Sequence, residues 1–205
     1  MNTGGTLLFG GSFDPIHHGH LISAQAVADR LAVDRVLLIP CAQSPLKRSH
    51  VLARGEDRLE MCRIAAKLDR RFAVSDWELK RPPPSYTIQT VRYFRSVFPA
   101  PEPLYWLLGQ DSLAHLQHWM NIEELLEIVQ FVTATRPGGG EPNLAALRAI
   151  APAEAVEQIE RHLFATPMVE ISASEIRARA RARQNIQFWV PSGVADYIDQ
   201  TALYR

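Results

Sequence analysis

Apolar residues fall into two rhythms along this chain. Short unbroken runs at 6–9, 35–40, 72–75, 104–108 and 131–135 suit strands buried on both faces of a parallel sheet. Between them the spacing changes to three and four. Leu21, Ala24, Val27, Ala28 and Leu31 follow the first run, a periodic segment from about 56 to 68 follows the second, and Ile88, Val91, Phe94 and Val97 follow the third. That is the pattern of amphipathic helices. Pro82-Pro83-Pro84 suits neither element and predicts a turn, after which Ser85-Tyr86-Thr87 opens a helix. Asn121 with Glu124 predicts an N-cap and capping box for a helix over 122–128. An Ala/Glu/Leu-rich helical stretch occupies about 144–162. Val169-Glu170-Ile171 then reads as a strand, Ser172 and Glu175 as a second capping box, and Arg179, Arg181 and Arg183 as the solvated face of a basic helix. In Gln184-Asn185 the asparagine suits a left-handed turn. Pro191 and Ser192 begin a last helix containing Val194, Tyr197 and Ile198.

Strands alternating with helices predict an α/β fold with a doubly wound parallel sheet, whose ligands bind beyond the carboxyl ends of the strands. His17, His20, Lys47, Tyr86, Asp111 and Arg136 each follow a predicted strand or open the helix after it. At 205 residues the chain can bury a proper hydrophobic core.

Composition narrows the function classes. Lysine plus arginine, 22, equals aspartate plus glutamate, 22, so no overall field calls for nucleic acid or an anionic membrane. Cys41 and Cys62 lack C-x-x-C spacing and predict a reduced, cytoplasmic protein rather than a disulfide scaffold. The first residues lack a basic region and apolar core, and no stretch is long enough to cross a bilayer.

The chemistry concentrates at Gly10-Gly11-Ser12-Phe13-Asp14-Pro15-Ile16-His17-His18-Gly19-His20. Two glycines at a strand's end let the backbone turn without a Cβ obstructing a ligand, and the following helix start offers N–H groups to an anion. His17 and His20, spaced i and i+3, fall on one face of the first helical turn, where imidazoles donate to phosphate oxygens. The lysine of a P-loop is missing, as is a G-x-G-x-x-G fingerprint. A zinc site on His17, His18 and His20 wants further ligands, and none stands out nearby. Near the carboxyl end, Ile171-Ser172-Ala173-Ser174-Glu175-Ile176-Arg177 places hydroxyls, N–H groups and a guanidinium at another helix start, either an ordinary cap or a second set of phosphate contacts.

The first motif resembles the signature of the H-x-G-H nucleotidyltransferase superfamily, in the form found in bacterial nicotinate mononucleotide adenylyltransferases. The second is similar to that family's I-S-x-x-x-I-R element, and Pro84-Ser85-Tyr86-Thr87, Gly109-Gln110-Asp111-Ser112, Trp119 and Leu203-Tyr204-Arg205 extend the resemblance. It implies a single Rossmann-like domain over 1–205, with a core at 6–136, a variable helical connection at 137–168, and a small helical carboxyl-terminal part at 169–205 carrying the phosphate-binding element.

The implied activity is transfer of the adenylyl group of ATP, with Mg²⁺, to nicotinate mononucleotide, releasing pyrophosphate. The resemblance makes His17, His20, Arg177 and Lys47 catalytic, with Lys47 on a loop approaching the phosphates. ATP falls to Gly10, Gly11, Ser12, Phe13, His17, Gly19, His20, Arg136, Ser172, Ser174 and Arg177. Nicotinate mononucleotide falls to Asp14, Lys47, Tyr86, Thr87, Gly109, Asp111 and Trp119. Trp119 is a ring-stacking residue on this reading or a core aromatic, as Trp77, Trp106 and Trp189 are expected to be. Asp111 takes ribose hydroxyls or caps a helix starting at Ser112. A phosphopantetheine adenylyltransferase shares the histidine motif but not the S-Y-T, G-Q-D and Trp119 elements, and a non-catalytic ATP-binding module releases no pyrophosphate.

Overall fold

The computed structural model describes residues 4–45, 53–135 and 142–205. A six-stranded sheet runs in the order β3-β2-β1-β4-β5-β6, with β1 at Thr6–Gly11, β2 at Arg35–Pro40, β3 at Phe72–Val74, β4 at Leu104–Gly109, β5 at Gln130–Thr135 and β6 at Leu163–Ala165. Helices α1 (His18–Leu31), α2 (Gly55–Ala66), α3 (Thr87–Val97), α4 (Gln110–Leu113), α5 (Ile122–Ile128), α6 (Ala145–Arg148), α7 (Ala153–Arg161), α8 (Ala173–Arg181) and α9 (Ser192–Gln200) lie between or after the strands. The order reverses after β3, when the chain returns to the far side of β1 with β4. This is the doubly wound α/β arrangement, in which right-handed crossovers put helices on both faces.

Contacts divide the chain into two compact units. In the first (1–10, 23–36 and 86–168), β1, β4 and β5 pair in parallel, with Leu8 opposite Trp106 and Trp106 opposite Phe131. Leu104 through Leu108 are all buried, as a strand covered on both faces requires. α1 contributes Ala24, Val27 and Ala28, and α3 contributes Ile88, Val91 and Phe94. In the second unit (11–22, 37–85 and 169–205), the buried side chains include Ile16, Leu38, Ile39, Met61, Ile176, Val194 and Ile198, and α2 packs on β3 and α9. None of the helices among the described residues is long and apolar enough to cross a membrane.

Several local expectations are corrected. No strand forms at 169–171; the sixth strand is Leu163–Ala165, pairing with Thr133–Thr135. As a three-residue edge strand with only partly buried side chains, it needs no buried apolar run, which is why periodicity misses it. Asn121 takes the left-handed conformation, φ 54°, and makes no side-chain cap, because an N-cap side chain reaches the first turn only from the extended region. Glu124 instead receives the forked guanidinium of Arg92.

At the end of α8 the left-handed residue is Arg183, φ 56°, rather than Asn185. Arg183 N–H donates to Ala180 and Gln184 N–H to Arg179, a Schellman ending with arginine where glycine is usual. Arg179 is not merely solvated: it donates to the Asn185 carbonyl and lies 4.9 Å over the Trp189 ring. Of the expected core tryptophans only Trp106 is fully buried; Trp77 and Trp189 are half-buried, and Trp77 lies under Arg81.

Candidate active site

The turn after β1 is shaped by aromatic rings. A Cβ on Gly10 would stand 2.7 Å from the Trp106 ring, within the first unit. One on Gly11 would stand 3.0 Å from Phe13, within the second. The missing Cβ atoms of both glycines therefore make room for the protein's own side chains. Phe13 itself is buried and left-handed, φ 46°. Beneath the turn lies Arg58, whose side chain donates to the carbonyls of Ser12 (2.7 Å) and Ala53 (3.1 Å). A buried guanidinium is tolerated because these oxygens replace its water. Nothing in the α2 sequence distinguished Arg58 from a surface arginine, since its partners are backbone atoms brought to it by folding.

His17 stands just before α1 and His20 in its first turn. Instead of lying side by side on one helix face, the rings stack, with centroids 3.6 Å apart and planes inclined by 23°. Their backbones and rings bond reciprocally: His17 N–H donates to Nδ1 of His20 (3.3 Å), and His20 N–H donates to Nδ1 of His17 (3.4 Å). This is the logic of a capping box with imidazoles in place of hydroxyl and carboxylate. Since both Nδ1 atoms accept, each neutral ring carries its proton on Nε2. Burial, aided by the neighbouring His18, lowers the His17 pKa to about 4, so at neutral pH it is a donor rather than a cation. A Cβ on Gly19 would come within 3.1 Å of the His17 ring, which explains the glycine of the motif. His18 N–H donates to the Trp189 carbonyl (3.1 Å) and anchors the helix start.

The carboxyl-terminal element joins this turn. Ser172 caps α8, its Oγ accepting from Glu175 N–H (3.2 Å) and lying 3.1 Å from Ser174 Oγ. Arg177 donates to the backbone carbonyl of Asp14 (2.7 Å). The Asp14 carboxylate is buried, and its Oδ1 accepts from Tyr204 hydroxyl (2.8 Å) and Ala53 N–H (3.2 Å). It is turned into the protein, where these two donors hold its orientation. Ser12, Phe13, Asp14, His17, Gly19, His20, Ser172, Ser174 and Arg177 thus all fall in the second unit.

Gly10, Tyr86, Thr87, Gly109, Asp111 and Trp119 belong to the first unit. Tyr86, extended, precedes α3, and Thr87 opens it. Gly109 ends β4, and among the described residues no atom beyond its chain neighbours lies within 4 Å of where its Cβ would be. Asp111 is exposed inside the first turn of α4, whose cap position is Gly109, so Asp111 does not serve as a cap. Trp119 packs edge-to-face on Phe131, with centroids 6.0 Å apart, and its Nε1 is buried with no hydrogen-bond partner among the described residues. Lys47 and Arg136 lie outside the described residues.

Known proteins share this sequence pattern and this fold. A profile of the cytidylyltransferase-like family matches residues 8–179. The chain is 42% identical over 196 residues to a "Probable nicotinate-nucleotide adenylyltransferase" of Opitutus terrae, spanning 96% of this chain and 95% of that one. It is 36% identical over 198 residues to a protein of the same name from Rhodopirellula baltica, spanning 97% and 92%. Among solved structures, Plasmodium falciparum nicotinic acid mononucleotide adenylyltransferase complexed with NaAD has the same fold, with a TM-score of 0.75 at 18% identity over 98% of this chain and 97% of that one. The complex of that enzyme with APC aligns at a TM-score of 0.71, also at 18% identity, over 98% and 96%. By sequence over almost its whole length, this chain belongs to the cytidylyltransferase-like nucleotidyltransferases and, among them, to the nicotinate-nucleotide adenylyltransferase family.

Proposed function

We propose that this protein transfers the adenylyl group of ATP to nicotinate mononucleotide, forming nicotinate adenine dinucleotide and pyrophosphate on the way to NAD. An oxygen of the mononucleotide's 5′-phosphate attacks the α-phosphorus of ATP, and the bond to the pyrophosphate leaving group breaks. Both reactants bring their own nucleophile and leaving group, so the protein's task is alignment and charge stabilisation. The observation that carries this reading is the reciprocal histidine pair, in which Nδ1 of each stacked ring accepts from backbone, so that both rings are Nε2–H donors. Their bonds strengthen as charge builds on the phosphate oxygens.

Arg177 adds a cation, and Ser172 and Ser174 add hydroxyls at the start of α8. Among the described residues no group of three or more His, Cys, Asp or Glu is placed to hold a metal, so we assign Mg²⁺ to the substrate, as the counter-ion of ATP. On the acceptor side we assign the pyridine ring to Trp119, its carboxylate to the N–H groups of Tyr86 and Thr87, and the ribose to Asp111. The space at the Cβ position of Gly109, clear among the described residues, suits close approach of that ribose. Lys47 and Arg136 keep their assignments to the phosphates and the adenine from the sequence alone. Both cysteines are free and buried, which supports a reduced, cytoplasmic setting.

The test is pyrophosphate release from ATP with nicotinate mononucleotide, nicotinamide mononucleotide or phosphopantetheine offered in parallel. Release with nicotinate mononucleotide foremost is the expected result. Preference for phosphopantetheine, or binding of ATP with no release, would overturn the reading.

A further inference from the structure

Asp14 and Tyr204 are 190 positions apart, yet the tyrosine hydroxyl donates to Asp14 Oδ1 at 2.8 Å. The same oxygen accepts from Ala53 N–H at 3.2 Å. The other oxygen, Oδ2, is buried, has no hydrogen-bond partner among the described residues, and faces Arg177 Nη1 at 3.8 Å. Arg177 instead donates from that Nη1 to the backbone carbonyl of Asp14 at 2.7 Å. Its side chain remains 26% exposed, so the rest of the guanidinium can meet a phosphate. All four residues belong to one unit.

A buried carboxylate beside an arginine ordinarily draws it into a short forked pair. Here the fork does not close, because Oδ1 is already occupied by two donors that hold the carboxylate's orientation. With the Tyr204 hydroxyl gone, Ala53 N–H is the one remaining hydrogen bond to the Asp14 carboxylate among the described residues, and the carboxylate can rotate onto Arg177 and take up N–H groups otherwise presented outward. Burial, followed by the Asp14 charge, raises the Tyr204 pKa, so the hydroxyl stays a donor throughout the working pH range.

We infer that Tyr204 is a positioning residue for adenylyl transfer: its hydroxyl holds Asp14 so that Arg177 stays aimed at the phosphates rather than paired with the carboxylate. This rests on the proposed function for the identity of the reaction, though not for the geometry.

The experiment is a double-mutant cycle of Tyr204→Phe and Arg177→Ala, read by turnover, by KM and by Mg-ATP titration without acceptor. Tyr204→Phe alone should lower kcat on the order of 10- to 100-fold, the scale of a sub-ångström to ångström misplacement, and weaken Mg-ATP severalfold. In the Arg177→Ala background the same change should cost less than about twofold, since residues acting as a unit are not additive. Asp14→Asn, of the same shape, should likewise lose most of its effect once Arg177 is gone, and serves if Tyr204→Phe does not fold. An undiminished Tyr204→Phe loss in both backgrounds, or no loss in either, overturns the inference. If the wild type transfers to no acceptor, the proposed function fails, while the non-additivity of Mg-ATP binding still decides the role of Tyr204.

Discussion

His17 and His20 cap each other: each backbone N–H donates to the other's Nδ1, at 3.3 and 3.4 Å, and the rings stack at 3.6 Å. One local arrangement thereby starts the helix and chooses both tautomers, making each ring an Nε2–H donor. Substituting either ring disturbs the other, so the pair is expected to behave as a unit.

His20→Ala should lower kcat by about 100-fold or more, the scale for removing a transition-state donor, with a much smaller change in ATP affinity. The double variant with His17→Ala should lose little beyond the worse single variant. Steady-state kinetics and ATP titration of the folded variants check both statements, and a near-normal kcat for His20→Ala removes it from the chemistry.

The depressed His17 pKa makes a statement about stability. Its folded value is about 4 against an ordinary 6.5, so between these values the unfolded chain binds more protons than the folded one. The contribution of neutral His17 is intact above about pH 6.5 and is lost as pH falls to about 4, by at most about 3 kcal/mol. Urea unfolding of the wild type and His17→Asn from pH 7 to 4 should show the wild type losing stability faster. Parallel curves would mean that His17 titrates normally.

Gly10→Ala and Gly19→Ala should fail differently. The first drives a Cβ to 2.7 Å from the Trp106 ring, and overpacking of that kind costs about 1–3 kcal/mol, so its melting temperature should fall with kcat largely kept in the folded fraction. The second presses on the His17 imidazole at 3.1 Å, so kcat should fall more than stability does. Thermal melts beside kinetics separate the two, and equal effects on both readouts would contradict the assignment.

Arg183→Gly should stabilise the protein by about 1 kcal/mol, because φ 56° at the end of α8 strains any residue with a Cβ and suits glycine. Denaturant midpoints measure it. A loss of stability would show that the Arg183 side chain makes contacts outweighing the backbone strain.

Trp119→Ala should weaken nicotinate mononucleotide by roughly 1 to 3 kcal/mol, as for base–aromatic stacking, while leaving ATP affinity nearly intact. The packing of Trp119 on Phe131 means that stability will fall too, so Trp119→Phe, which keeps a stacking face, should restore most of the binding. Equal loss for both ligands would make Trp119 a support of the fold.

Periodicity alone determined most of the architecture. The strands at 35–40 and 104–108 stand within a residue of the observed elements, because buried parallel strands impose a local rhythm on apolar residues. The H-x-G-H turn was legible as a short-range motif, whereas the stacking and mutual capping of its two rings was not.

What the sequence could not show depends on residues far apart in the chain. β6 is an edge strand defined by pairing with β5 rather than by its own composition. Gly10 needs its missing Cβ because folding puts Trp106 against it. Nothing local in the sequence showed that the Asp14 carboxylate accepts from Tyr204, 190 residues away. Local pattern encodes where the chain turns and which way a side chain faces. Only tertiary packing decides which polar groups are already satisfied within the protein, because a buried group's partner is set by position in space and leaves no periodic trace.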